Sequence, residues 1–177
     1  MKNYIKLQSK DIYLRPICID DANYDYPNWL NDPIVCKYNS HGDINYSREL
    51  AIEYIKSVQN FTTNKVFAIC TNNHKHIGNI SLQNISNKNN NAELAILLGN
   101  TSYMNKGYSK QASKLILNYG FKQLNLHRIY CGTNEYNIAM QKLAYSLGMK
   151  QEGIQIDAMY KNNKYINIIQ FAIINKG

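Results

Sequence analysis

The chain has few prolines, few cysteines and no closely spaced pair of cysteines. Its 177 residues include 3 prolines and 4 cysteines, and the cysteines form no CxxC pair. This spacing argues against a zinc ribbon, a thioredoxin-type motif and a dense disulfide framework. Most of the cysteines lie in apolar runs, which is typical of buried, reduced thiols.

Long hydrophobic runs are also missing. No apolar run approaches the roughly 20 residues of a membrane-spanning helix. The first residues, MKNYIKLQSKDIYLRP, lack the hydrophobic stretch and the small-residue cleavage site of a signal peptide. We therefore expect a cytoplasmic protein without a membrane partner. Apolar residues make up 45% of the chain and charged residues 18%, so the sequence predicts one folded domain over residues 1–177.

Positive charge is abundant, but arginine is scarce. The net charge is +8, and of 20 basic residues only Arg15, Arg48 and Arg128 are arginines. Such a surface favours anionic partners. A sequence-specific DNA-binding protein is expected to use more arginine. The lysines are not clustered into a stripe, and the sequence contains no helix-turn-helix or RNP-like motif. We therefore do not expect nucleic acid as a partner, and a basic nucleic-acid-binding module stays a secondary alternative.

The alternation of apolar and polar residues predicts strands and helices in a mixed order. An asparagine-rich stretch, residues 84–91, is expected to be a solvated loop. The predicted strands cover 11–17, 65–71, 76–82, 92–99, 128–133, 150–158 and 165–174, and the predicted helices cover 20–30, 48–59, 107–123 and 137–147.

The most informative window is AELAILLGNTSYMNKGYSKQA, residues 92–112. It predicts a buried strand that ends at Gly99, a short loop and a helix that begins at Gly107. Unpaired N–H groups and the positive end of the helix dipole can hold a phosphate there, and Lys106 adds a full charge. The pattern is neither GxGxxG nor GxxxxGK, so a tight turn without a ligand is the alternative.

A second segment, together with this window, makes the chain similar to a known family. Residues 134–153, NEYNIAMQKLAYSLGMKQEG, place an asparagine at the start of a helix that ends in a Leu-Gly-Met turn. The order of elements resembles the GNAT superfamily of N-acetyltransferases. More narrowly, it is similar to the ribosomal-protein N-terminal acetyltransferase-like branch, which includes amino-sugar acetyltransferases. YMNKGYSKQA (103–112) resembles the Q/R-x-x-G-x-G/A signature of the family, and WLNDPIVCKY (29–38) resembles the Trp-Leu-Asn-Asp-Pro run of the branch.

The resemblance covers nearly the whole chain and implies a single GNAT-type domain of the α/β (α+β) class. It implies a mixed central sheet of about six to seven strands with a splayed fourth strand, flanked by about four helices. It also implies acetyl-CoA as co-substrate, no metal, and a homodimer as a possible assembly. The residues implied to bind the coenzyme are Ile96, Leu97 and Leu98 for the pantetheine arm, Met104, Asn105, Lys106, Gly107, Tyr108 and Ser109 for the pyrophosphate, and Asn137 for the coenzyme arm.

The chain departs from the family pattern at the position of its general acid. The tyrosine that serves many members falls on Ala144 here, and Tyr145, about 100° further around the helix, is the candidate acid. Glu93 is the candidate base, because it is the single acid in an apolar strand and burial there would suit proton transfer near neutral pH. A solvent-facing position for Glu93 near the strand end is the alternative.

Candidates for acceptor binding lie near the first two helices. The resemblance places His41 where the acceptor pocket of the family is usually lined, with Tyr38 and Asp43 close by, and Trp29 and Tyr38 are further candidates. The implied function is direct acetyl transfer to a primary amine. A small molecule such as a nucleotide-linked amino sugar fits the positive charge, and a protein N-terminus is the alternative. Because Met104 and Ala144 replace family residues, a non-catalytic CoA-binding relative is a further alternative.

Overall fold

The computed structural model describes residues 5–41, 44–60 and 62–176, which form eight strands and four α-helices. Two short 3-10 helices, Ile19–Asn23 and Thr101–Tyr103, accompany them. In chain order the elements are β1 Leu7–Gln8, β2 Ile12–Pro16, α1 Tyr26–Trp29, α2 Arg48–Asn60, β3 Lys65–Thr71, β4 His76–Ser86, β5 Asn91–Leu98, α3 Tyr108–Lys122, β6 Arg128–Asn134, α4 Ile138–Ser146, β7 Lys150–Lys161 and β8 Lys164–Ile174.

All eight strands belong to one sheet with the order β1-β2-β3-β4-β5-β6-β8-β7. Only the β5–β6 pairing is parallel among the described strands. Strand β5 pairs with β4 from Asn91 to Leu98, but its ladder with β6 covers only Asn91 to Glu93. Beyond Glu93, β5 therefore diverges from β6, which confirms the splayed strand.

The sheet is covered on both faces by apolar side chains from the helices. On one face, α3 and α4 contribute Ala112, Ile116 and Ala144 to the larger core. On the other face, the segment from Ile17 to Val58, which contains α1 and α2, forms a second apolar cluster. This second layer covers β3, β4 and β5 on the side where the candidate site lies.

Three features differ from the sequence predictions. The sheet has one strand more than expected, because Leu7 and Gln8 pair with Leu14 and Tyr13. The continuous helix predicted over 20–30 was wrong, since Pro27, which has no N–H to donate, occupies the first turn of a separate short helix.

The asparagine-rich loop predicted over 84–91 was also wrong in extent. Strand β4 continues to Ser86 and β5 begins at Asn91, so only residues 87–90 form the turn. Asn84 and Asn90 adopt positive φ values of 52° and 47°, a backbone conformation that asparagine tolerates better than most residues. Asn84 thus lies in the bulge of the β4–β5 hairpin, and Asn90 lies in its turn.

Candidate active site

The loop between β5 and α3 has the backbone geometry of an anion-binding turn. Gly107 is the N-cap of α3 with φ +80°, and Asn105 also has a positive φ of 59°. Turns of this kind aim successive backbone N–H groups to one side. A Cβ on Gly107 would meet nothing within 4 Å, so the space in front of the turn is open. The first N–H groups of α3 are therefore available to a ligand.

Positive charge surrounds this turn. The Nζ of Lys106 lies 5.6 Å from the ring centroid of Tyr103, and the Nζ of Lys75 lies 5.8 Å from the same centroid. The ring of Tyr108 packs beside Tyr103, with 5.7 Å between the centroids. Two ammonium groups and the positive end of the α3 dipole thus converge on one loop, and this arrangement suits a phosphate or pyrophosphate.

A cavity of about 420 Å³ lies between the sheet and the second helical layer. It reaches Ala95, Ile96 and Leu97, in the part of β5 that has diverged from β6. Two of the three residues predicted for the pantetheine arm, Ile96 and Leu97, therefore line the cavity, and Leu98 does not. Its opposite wall is formed by α1, α2 and the segment 39–46.

Aromatic side chains form much of that opposite wall: Tyr26, His41, Tyr46 and Tyr54. Burial, with smaller contributions from Tyr54 and Tyr46, raises the pKa of Tyr26 well above its usual value. Its hydroxyl is therefore neutral and can donate a hydrogen bond to an occupant of the cavity. Among the described residues that line the cavity there is no aspartate or glutamate.

The sheet side of the cavity carries a row of polar side chains on β4 that the sequence analysis missed. Asn79, Ser81 and Gln83 line the cavity, while Ile80 and Leu82 point into the opposite core. Asn79 and Ser81 are buried, and Gln83 Nε2 donates to Ser81 Oγ at 2.9 Å. The alternation of polar and apolar residues in GNISLQ could have indicated this row, because side chains alternate between the two faces of a strand. One face of β4 is polar, although helices cover both faces of the sheet.

Segment 39–41 is held in place by the distant hairpin of β7 and β8. The buried Lys161 donates from Nζ to the backbone oxygens of Asn39 and His41, at 2.8 Å each. His41, a predicted substrate contact, lines the cavity, and its Nδ1 lies 3.0 Å from the hydroxyl of Tyr46. Asp43 lies outside the described residues.

The other two predicted acceptor residues do not line this cavity. Trp29 is buried, and its ring packs so closely on Gly99 that a Cβ there would lie 1.9 Å from Cδ2 of the indole. Trp29 thus packs against the residue that follows the end of β5. Tyr38 is half-buried, with Lys37 Nζ 5.1 Å from its ring centroid.

The predicted base lies on the face of β5 that faces the cavity. Side chains alternate along a strand, so Glu93 shares its face with Ala95 and Leu97, and it pairs with Gln83 of β4. The carboxylate is half-buried and accepts a hydrogen bond from Asn84 Nδ2 at 3.0 Å. Glu93 is therefore at the border of the cavity rather than in its lining.

The predicted acid lies elsewhere. Tyr145 is exposed, donates from its hydroxyl to Gln151 Oε1 at 3.1 Å and packs its ring on Phe171. The structure thus does not bring Tyr145 to the cavity. Asn137 caps α4, where its Oδ1 accepts from the N–H of Met140 at 3.1 Å.

A covalent acyl carrier is disfavoured at Cys131. Burial, with a smaller contribution from Glu93, raises the pKa of Cys131 to about 12, so the thiol is protonated and a poor nucleophile at neutral pH. The residues that the structure describes bring together no group of three potential metal ligands. None of their helices has the length and apolar character that a membrane span requires.

A comparison with protein families decides the assignment. The family model described as an acetyltransferase (GNAT) domain matches residues 11–150. The chain belongs to the GNAT acetyltransferase family. The fold class and the enzyme class expected from the sequence are thereby confirmed: this GNAT protein is an acetyl-CoA-dependent N-acetyltransferase.

Individual relatives support the family membership. The GNAT protein is 36% identical over 77 residues to the uncharacterized N-acetyltransferase YnaD of Bacillus subtilis, which covers 44% of this chain and 45% of YnaD. It is 26% identical to the spermidine N(1)-acetyltransferase of Escherichia coli strain K12, over 92% of this chain and 85% of that protein.

A solved structure shows the same fold. The structure of a ribosomal L7/L12 alpha-N-protein acetyltransferase in complex with coenzyme A superposes with a TM-score of 0.89 at 17% sequence identity, over 96% of this chain and 98% of that one.

Proposed function

We propose that this acetyltransferase acetylates the primary amine of a small, hydroxyl-bearing acceptor, with nucleotide-linked amino sugars as the preferred class. The observation that supports this most directly is the cavity beside β5, whose described lining supplies hydroxyls, amides and aromatic rings but no carboxylate. Acetyl-CoA supplies a thioester that a neutral amine can attack directly. The residues of the chain then have to position both reactants and accept the amine proton.

The same residues predicted for the coenzyme are proposed to bind it. The open turn at Asn105 and Gly107, with Lys106 beside it, supports pyrophosphate binding. The backbone of residues 96–98 supports binding of the pantetheine arm, because β5 has no ladder with β6 there. Amide groups of a ligand can hydrogen-bond to such a free strand edge.

The charge of the cavity supports the proposed acceptor class. A polyamine keeps several ammonium groups, and burying them without carboxylate partners is costly. Tyr26, Tyr46 and Tyr54 offer ring faces and hydroxyls, and Asn79 and Gln83 offer amides, which together suit a polyhydroxylated ring. The net charge of +8 favours an anionic nucleotide portion outside the cavity. A protein N-terminus remains the alternative acceptor.

A panel of acceptors tests this proposal. With acetyl-CoA held constant, kcat/KM is expected to be at least about tenfold higher for a nucleotide-linked amino sugar than for spermidine or a ribosomal-protein N-terminal peptide. Release of the free thiol of CoA reports the rate for each acceptor. A clear preference for spermidine would contradict the proposed class, and a preference for the peptide would support the alternative.

Glu93 is proposed as the base that removes the amine proton, acting through water. Glu93→Gln is expected to lower kcat by roughly 10²- to 10⁴-fold, because general-base catalysis contributes on that scale. Glu53→Gln, an exposed change on α2, is the matched control and should retain full activity. Equal rates for the two variants would exclude Glu93 as the base.

Tyr145 stays the proposed general acid. Its hydroxyl would have to leave Gln151 to reach a thiolate leaving group, since it bonds to Gln151 in the structure.

A further inference from the structure

We propose that Asn79 presents its amide NH₂ group to an oxygen atom of the acceptor, and that the buried His76 holds it in that orientation. This inference rests on the proposed function and specifies how the cavity selects a hydroxyl-bearing amine. Asn79 is then an acceptor-binding residue, and His76 is a positioning residue.

Asn79 lies at the point where the cavity meets the end of β5. It pairs with Leu97 across the β4–β5 ladder, and both side chains line the cavity. Only 8% of Asn79 is exposed, so a polar group there has little access to bulk water. An occupant of the cavity that supplies an oxygen can therefore gain a hydrogen bond for which bulk water competes little.

The orientation of the amide follows from the hydrogen bonds of His76. The Nε2 of His76 lies 2.9 Å from the backbone oxygen of Gly78 and 2.8 Å from Oδ1 of Asn79. A carbonyl oxygen can only accept, so Nε2 must carry a proton. The amide atom that faces Nε2 must then be the oxygen, which leaves the NH₂ group on the other side. Within the described part of the chain, Nδ2 of Asn79 has no hydrogen-bond partner.

The imidazole is itself fixed by its surroundings. Its ring packs edge-on against Trp29, with 4.9 Å between the centroids, and also contacts Tyr26. Its Nδ1 lies 3.3 Å from Oδ1 of Asp21. The carboxylate of Asp21 is in turn held by Arg15, whose Nη1 donates to Oδ2 at 2.8 Å. His76 cannot rotate without disrupting this cluster, so the orientation of Asn79 is set before a ligand binds.

The chemistry predicts a specific change of selectivity. Asn79→Asp preserves the size of the side chain and the bond that it accepts from His76, but it replaces the NH₂ donor with a carboxylate oxygen. A carboxylate cannot donate a hydrogen bond to the acceptor oxygen that the NH₂ group would bind, and its negative charge attracts an ammonium group. The variant should therefore lose affinity for hydroxylated amines and gain affinity for polyamines.

Steady-state kinetics with a nucleotide-linked amino sugar and with spermidine test the inference. For Asn79→Asp we expect an acceptor KM about tenfold higher for the amino sugar, an improved kcat/KM for spermidine, and an unchanged KM for acetyl-CoA. Asn89→Asp, in the exposed turn of the β4–β5 hairpin, is the matched control and should change none of these values. Unchanged acceptor KM values in Asn79→Asp would overturn the inference.

Variants of His76 separate positioning from simple stability. His76→Met removes the donor to Asn79 and should raise the acceptor KM, while His76→Gln retains an N–H donor and should restore much of the lost affinity. Loss of thermal stability in both variants with an unchanged acceptor KM would assign His76 a structural role only and overturn its positioning role.

These outcomes are distinguishable from failure of the proposed function. If the wild-type enzyme does not acetylate any hydroxylated amine, the proposed acceptor class fails, and the inference fails with it. If the wild-type enzyme acetylates such amines and Asn79→Asp acts on them equally well, only the role of Asn79 is overturned.

Discussion

Gly107→Asp is expected to abolish binding of acetyl-CoA while leaving the fold intact. The residue has φ +80°, and the Cβ of an aspartate there would meet no atom within 4 Å. Its left-handed backbone costs about 1–2 kcal/mol in a residue with a Cβ, and least for asparagine and aspartate. The carboxylate, however, would stand against the pyrophosphate at the positive end of α3. Like charges in such contact cost several kcal/mol, enough for a loss of about 100-fold or more in affinity.

The control for this prediction is Gly107→Asn, which has nearly the same size and backbone preference but no charge. Thermal unfolding with and without acetyl-CoA provides the measurement. A ligand at 100 times its dissociation constant stabilises the folded state by about 2.7 kcal/mol, so the wild type and Gly107→Asn should shift clearly. Gly107→Asp should not shift. An equal shift for the aspartate variant would remove this turn from the coenzyme site.

Asp21→Asn is expected to lower the free energy of unfolding by about 3 kcal/mol, at the lower end of the range for breaking a buried ion pair. Asp21 is 2% exposed, and its Oδ2 accepts from Arg15 and from the N–H of Cys18. The asparagine variant leaves the guanidinium without its charge partner. Because the Arg15 side chain is 31% exposed, water compensates part of the loss.

Chemical denaturation measures this loss, and thermal unfolding should show a midpoint lower by roughly 6–12 °C. Asp20→Asn, at the exposed neighbouring position, is the matched control and should change stability little. Equal stability of the two variants would show that the Arg15–Asp21 pair is not important for folding.

The pH dependence of stability gives a second measure of the same pair. Burial by itself raises the pKa of Asp21, but the hydrogen bonds from Arg15, with smaller contributions from His76 and from the N–H of Cys18, outweigh it and hold the pKa well below its usual range. A lowered pKa contributes stability that is fully present above the unfolded value of about 3.9 and is lost as the pH falls below it. The stability advantage of the wild type over Asp21→Asn should therefore shrink below about pH 4.

The helices next to the proposed coenzyme site were predictable because local residues determine where they begin and end. Gly107 and Asn137 are the N-caps of α3 and α4, and Gly148, with φ +82°, follows the end of α4. These residues act on the backbone of their own neighbourhood. The predicted bounds of both helices therefore agree with the structure to within about two residues.

The proposed acceptor cavity was less predictable because its residues depend on distant partners. Trp29 was predicted as an acceptor contact, but it packs on Gly99, whose missing side chain creates the space for the indole. Asn79 looked like an ordinary strand residue, and its orientation follows from His76 and Asp21, which lie on different elements. Spacing along the chain does not encode which of these groups meet in the folded protein.

The divergence of β5 from β6 has a consequence for hydrogen exchange. The backbone groups of residues 94–98 that face the gap have no ladder partner on β6, so in the absence of a ligand they depend on water. Their amide protons should exchange with solvent faster than those facing β4. The gap lies between two interior strands, β5 and β6, and not at an outer edge of the sheet. A strand of another protein therefore cannot easily pair with it. A narrow, linear molecule with amide groups can, so the chain exposes a strand edge to a small ligand while avoiding the aggregation that open edges promote.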